Sequence, residues 1–169
     1  MDIPKLHPGI KNPKYWSDEP NKIPKSIREI VLNRDNNTCQ FCGHKASKWM
    51  NLHHLDSTES NESENLITSC VACHALFHIG RNMIIHPTLT IWESELSQIE
   101  IIQRTREGLR NGKTLDEILN ELPISVGKYE PDSREWVDEL TRTNTDDPII
   151  YLENNYRAVF TNLKRWQLE

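Results

Sequence analysis

Two Cys-x-x-Cys pairs, Cys39/Cys42 and Cys70/Cys73, hold all four cysteines of this 169-residue chain. Four thiolates drawn together make a closed tetrahedral site for a soft cation such as zinc. Any fold of this chain must therefore bring the two pairs side by side. Twenty-seven residues separate Cys42 from Cys70, more than the ~15–20 of zinc-ribbon spacing, and the surplus suffices for a hairpin. A site with four sulfur ligands has no open coordination position, so its role is structural. The rival reading of each pair is a redox dithiol. No secretory leader and no membrane-spanning run is evident, which implies the cytoplasm, where thiols stay reduced and metal binding is favoured over disulfides. The chain is long enough to bury a core without zinc.

The rest of the sequence divides into three. Residues 1–23 carry four prolines, the pair Tyr15–Trp16 and no helical period, which suggests an extended basic arm. Residues 24–90 hold the cysteines. Ile27, Ile30 and Val31 mark a short helix with Pro24 in its first turn. KWMNLHHL and NLIT read as strands, DSTESNESE as a polar loop, and residues 70–79 as a helix capped by Ser69 and ended by Gly80. Residues 91–169 form a mainly helical region. A helix ends at Gly112, another opens with a Thr114–Glu117 capping box, and SREWVDELTR is a third. Ile149, Leu152, Tyr156, Val159, Leu163 and Trp166 then recur every three or four residues behind Pro148, the pattern of an amphipathic helix.

With the thiolates committed to one ion, the histidines need an account. A lone histidine is ordinarily a surface or satisfied core residue, and His7, His44 and His86 are read so. His74 and His78, four apart, share one helix face. Cys73 and His74 point about 100° apart on a helix, so one can face the sulfur site and the other away. His53 and His54 end the first strand, pointing to opposite faces. Together they suggest His53, His74 and His78 around a second ion, with His54 unligated beside it. The competing arrangement puts His74 in one mixed site in place of a cysteine.

LHHLD (52–56), ENLITSCVACH (64–74) and His78, framed by CQFC (39–42), resemble the HNH endonucleases, the ββα-metal nucleases. The resemblance covers roughly residues 25–80 and implies an α+β fold, a ββα-metal, treble-clef-like zinc module. It makes His54 the general base, and makes Asn65 the residue that holds the hairpin loop and that base in place. It makes His74 and His78 metal ligands, and puts His53 where the family has Asp or His. The chemistry is consistent: a neutral imidazole takes a proton from water, and an ion offsets charge growing on the scissile phosphate. Histidine ligands suit Zn2+, Ni2+ or Mn2+ better than Mg2+. Asn65 has a plain alternative as a turn residue; Arg81, just past the helix, could clamp a phosphate, with an ordinary surface charge as its alternative.

NRDNNTCQFCG, NLITSCVACHALF and TLTIWESELSQIE are also similar, more loosely, to the HNH-derived zinc components of Dot/Icm type IV secretion coupling complexes. That resemblance implies a non-catalytic scaffold that keeps the four-cysteine zinc and has lost the nuclease histidines, which the present chain retains. Charge is uneven. Residues 1–88 carry ten Lys/Arg against nine Asp/Glu, and residues 89–169 ten against sixteen. A polyanion, DNA or RNA, would meet the first half, and a protein partner would meet the acidic helical half. The loop DSTESNESE, with four carboxylates, would repel phosphate if it faced the site.

Overall fold

A computed structural model of the chain describes residues 2–16, 21–56, 58–79, 89–164 and 167–168. Gly80, Arg81, His86 and Trp166 lie outside the described residues. Mixed helices and small sheets make the architecture α+β.

The first helix, α1 (Lys25–Arg34), forms where Ile27 and Val31 share a face. It buries Val31 against Leu52 and Leu66 of an antiparallel hairpin, β2 (Met50–His54) and β3 (Leu66–Cys70). The hairpin register is fixed by burial: Met50 pairs with Cys70, Leu52 with Thr68 and His54 with Leu66. A slip of one residue would turn Leu52 outward. Arg34 and Asp35 lock α1 to β3. The Arg34 guanidinium donates to the carbonyls of Ser63 (2.9 Å) and Leu66 (2.7 Å), and Asp35 Oδ2 accepts from Thr68 N–H at 2.8 Å.

Helix α2 (Val71–Ala75) follows β3 directly. It is shorter than the 70–79 expected, because residues 76–78 continue as turns. Its cap also differs from the expected one. The strand runs through Ser69 to Cys70, and Cys70 Sγ accepts from Cys73 N–H at 3.5 Å.

Beyond the hairpin, β4 (Leu89–Glu93) leads into α3 (Gln98–Arg110), α4 (Leu115–Glu121) and α5 (Glu135–Thr141). Capping boxes open α3 (Ser97 with Glu100) and α4 (Thr114 with Glu117). Gly108 lets α3 and α4 meet: a Cβ there would lie 2.7 Å from Ile118 Cγ1.

The tail is not the single helix its spacing suggests. It forms β5 (Ile149–Tyr151) and β6 (Tyr156–Phe160), broken at Asn154–Asn155. All five residues of β6 are buried, so its apolar run carries no strand alternation. Strand β6 pairs antiparallel with β4, and Gln98 occupies its other edge, donating to Ala158 O and accepting from Ala158 N–H, both at 2.8 Å. The amino-terminal arm is also built in, since β1 (Gly9–Lys11) pairs with β5. One apolar core, including Phe77, Ile91, Ile102, Trp136, Tyr156 and Phe160, joins the cysteine-bearing part to the carboxy-terminal part.

Candidate metal centre

The cysteines converge. Among the described residues, Cys39, Cys42, Cys70 and Cys73 place their sulfurs within 4.8 Å of one another, all buried and none in a disulfide. Zinc–sulfur bonds of about 2.3 Å at tetrahedral angles put sulfurs about 3.8 Å apart, and Cys42 Sγ lies 3.8 Å from Cys70 Sγ. The knuckle that presents the first pair is a tight turn. Cys39 N–H donates to His44 O at 2.8 Å, Gly43 N–H donates to Cys39 O at 2.9 Å, and Gly43 has φ +78°, which a side chain would resist. The second pair straddles the β3–α2 junction. Hydrogen bonds from Cys42, then Cys70 and Cys73, push Cys39 strongly toward thiolate, while contact with Cys39, Cys42 and Cys70 pushes Cys73 up. A divalent cation resolves that conflict by binding every sulfur deprotonated. The donor set therefore fits a structural zinc.

Four histidines gather at a cleft. A cleft of about 240 Å3 is lined by His53, His54, His74 and His78, with Lys11, Asp56 and Glu59 at its rim. Ring centroids are 5.7 Å apart for His53–His74 and 5.0 Å for His74–His78. The three imidazoles do not close on one point: among the described residues, the cysteine quartet alone brings three or more His, Cys, Asp or Glu ligand atoms within 4.8 Å. His53 also packs as an aromatic, stacked on Phe77 at 4.4 Å and edge-on to Phe41. Burial, with neighbouring imidazoles, pushes His53 and His74 down to about 3, so both are neutral at pH 7. The His74 ring is half-buried, but its Nδ1 is fully buried and has no hydrogen-bond partner.

His54 also lines the cleft, its Nε2 3.0 Å from Asn61 Oδ1. Asn65 stitches the hairpin loop: its Oδ1 accepts from Asp56 N–H at 3.2 Å and its Nδ2 donates to Ser60 O at 3.0 Å. Two of the four arm lysines are already paired, Lys11 with Glu59 at 2.7 Å and Lys14 with Asp146 at 2.9 Å. The acidic loop does face the cleft, through Asp56 and Glu59.

Several residues here were not singled out from sequence. Asn61 and Asn21 both reach His54 Nε2, with Asn61 Oδ1 at 3.0 Å and Asn21 Nδ2 at 3.4 Å. Asn21 holds Asn61 in turn, accepting from its Nδ2 at 3.0 Å. Arg106, from α3, donates to Cys70 Sγ at 3.3 Å. None carries a local motif: Asn61 acts across 7 residues, Asn21 across 40 and Arg106 across 36.

No protein-family model matches this sequence. Among known proteins, the chain is similar to the type 4 apparatus protein DotN of Legionella pneumophila subsp. pneumophila (strain Philadelphia 1), with 32% identity over 85 residues. That similarity covers 44% of this chain and 39% of DotN, so the chain spans about two fifths of the relative's length. No helix among the described residues is long and apolar enough to cross a membrane.

Proposed function

We propose that this protein is an HNH-derived zinc scaffold, a cytoplasmic component of a type IV secretion or conjugation coupling complex. The observation that carries this reading is the 32% identity over 85 residues with a type 4 apparatus protein. The geometry supports it. The closed sulfur site suits architecture, not chemistry, and hairpin β2–β3 followed by α2 has the element order of a ββα-metal module. Lys11 and Lys14 spend their charge on internal carboxylates, and Asp56 and Glu59 oppose phosphate at the cleft. The acidic carboxy-terminal half would dock a basic surface on a protein partner. Elemental analysis and a plasmid assay test this together. The scaffold reading expects one zinc per chain and intact supercoiled plasmid with Mg2+, Mn2+, Ni2+ or Zn2+. Plasmid nicking by the purified protein would overturn it.

A second reading, a metal-dependent HNH endonuclease, is favoured by one observation: His53, His54, His74 and His78 line a single cleft. In that reading His53, His74 and His78 hold a divalent ion, His54 takes a proton from water, and Asn65 fixes the loop. The ion, when bound, would offset charge on the scissile phosphate of DNA or RNA. It expects two ions per chain, with one lost in His74→Ala. Cleavage that survives His54→Ala would refute the role given to His54.

A further inference from the structure

Helix α3 lies far in sequence from both cysteine pairs, yet it delivers a cation to the sulfurs. Arg106 is 5% exposed. Its Nη2 donates to Cys70 Sγ at 3.3 Å and its Nη1 donates to Gln167 O at 3.2 Å. One turn earlier, Gln103 Nε2 donates to Cys42 O at 3.1 Å. Residues three apart share a helix face, so one side of α3 reaches a ligand from each Cys-x-x-Cys pair. A divalent ion with four thiolates leaves a net double negative charge. Buried charge needs a counter-charge or a hydrogen-bond donor close by, and a guanidinium supplies both.

We propose that Arg106 is the counter-charge of the four-cysteine metal site, a positioning residue through which α3 helps retain the ion. The inference rests on the cysteines holding zinc and is independent of whether the histidine cleft is catalytic. The same contact draws electron density from Cys70. Its metal-bound sulfur is therefore a poorer nucleophile than that of Cys39, which is buried to the same degree: 2% exposed for Cys70 and 1% for Cys39.

The test is zinc release from the purified full chain to a chromogenic chelator, in wild type, Arg106→Lys, Arg106→Met and the exposed control Arg104→Met. Zinc content of the wild type is measured first. A wild type without zinc removes the metal site itself, an outcome separate from failure of the Arg106 role. With zinc present, Arg106→Met is expected to release it about 10–100-fold faster, the usual cost of losing a partner of a metal ligand. Arg106→Lys should lie between, and Arg104→Met should match wild type. Retained charge, not retained packing, then sets the order. Equal release from Arg106→Met and wild type, or faster release from Arg106→Lys than from Arg106→Met, would overturn the proposal. A second measurement needs no variant: alkylation of the zinc-loaded wild type, mapped by mass spectrometry, should modify Cys39 before Cys70. Cys70 reacting first or at the same rate overturns the proposal even if Arg106→Met does not fold.

Discussion

His54 Nε2 lies 3.0 Å from Asn61 Oδ1, closer than the 3.4 Å to Asn21 Nδ2, and the shorter contact favours a proton on Nε2. Asn61 Nδ2 donates to Asn21 Oδ1 at 3.0 Å and points to Lys22 O at 3.3 Å, so the amide oxygen faces His54. An oxygen acceptor requires N–H on Nε2, which leaves the Nδ1 lone pair free. A base must keep such a lone pair available. If the cleft hydrolyses phosphodiesters, His54→Ala should cost about 10²–10⁴ in rate, the range for a positioned base. Asn61→Ala should cost less, because it loosens the ring without removing it. Plasmid nicking kinetics measure both. An Asn61→Ala loss larger than that of His54→Ala would show that the loop, not the tautomer, is what Asn61 supports.

The sulfur site ties the knuckle after α1 to the β3–α2 junction, and structural zinc binding is itself folding free energy, about 10–16 kcal/mol in small zinc domains at pH 7. Cys39→Ser or Cys73→Ser should therefore lose the metal and unfold the hairpin unit. Elemental analysis with near-ultraviolet circular dichroism reads this out. A folded, zinc-free Cys39→Ser protein would show that the apolar core shared with Phe77 and Trp136 suffices without the ion.

Asp35, at the end of α1, adds a polar tie to β3 beside the apolar packing of Val31 on Leu66. Burial pushes its carboxyl up, but the Arg34 guanidinium and the Thr68 N–H outweigh that and hold it below the usual range. Asp35→Ala strands the Thr68 N–H inside the structure. The expected cost is about 1–3 kcal/mol, that of leaving a buried donor unsatisfied, read as a lower urea midpoint. Asp35→Asn keeps an acceptor oxygen and should cost less. A depressed carboxyl stabilises above its unfolded value near 3.8 and loses that contribution as pH falls through its folded value. The variant should therefore match wild type most closely in strong acid.

The parts of this fold that were legible in the sequence are those where chemistry and period coincide. Two Cys-x-x-Cys pairs admit few arrangements, and they meet as a quartet. The capping box at Thr114 is local, and both of its bonds form. Tyr156 and Val159 misled because β6 is buried on both faces, so their spacing of three reflects burial without helix. The Asn154–Asn155 turn was the available signal. Ser69 misled as a cap because β3 continues to Cys70, whose sulfur both caps α2 and joins the quartet. Asn61 and Arg106 were illegible for another reason: their partners lie 7 and 36 residues away and are set by tertiary packing.

His7 offers a pH test of the amino-terminal arm. It is buried, and its Nε2 donates to Leu152 O at 2.7 Å, just past the end of β5. Burial lowers its pKa below 6.5, the Leu152 carbonyl opposes that in part, and Arg157 and Lys5 add to the lowering. Below pH 6.5 the unfolded chain therefore takes up a proton that the folded chain resists, so stability falls as pH falls through that window and is fully present above it. One such group contributes a slope of at most about 1.4 kcal/mol per pH unit. His44, His53 and His74 are lowered in the same direction, so the wild-type slope is shared. His7→Gln retains a donor for the Leu152 carbonyl without a titrating ring. Urea unfolding from pH 7.5 to 5 should show a shallower slope in this variant, the wild type losing more stability toward the acid end. Parallel curves would mean that the arm is already released from β5 before His7 takes up its proton.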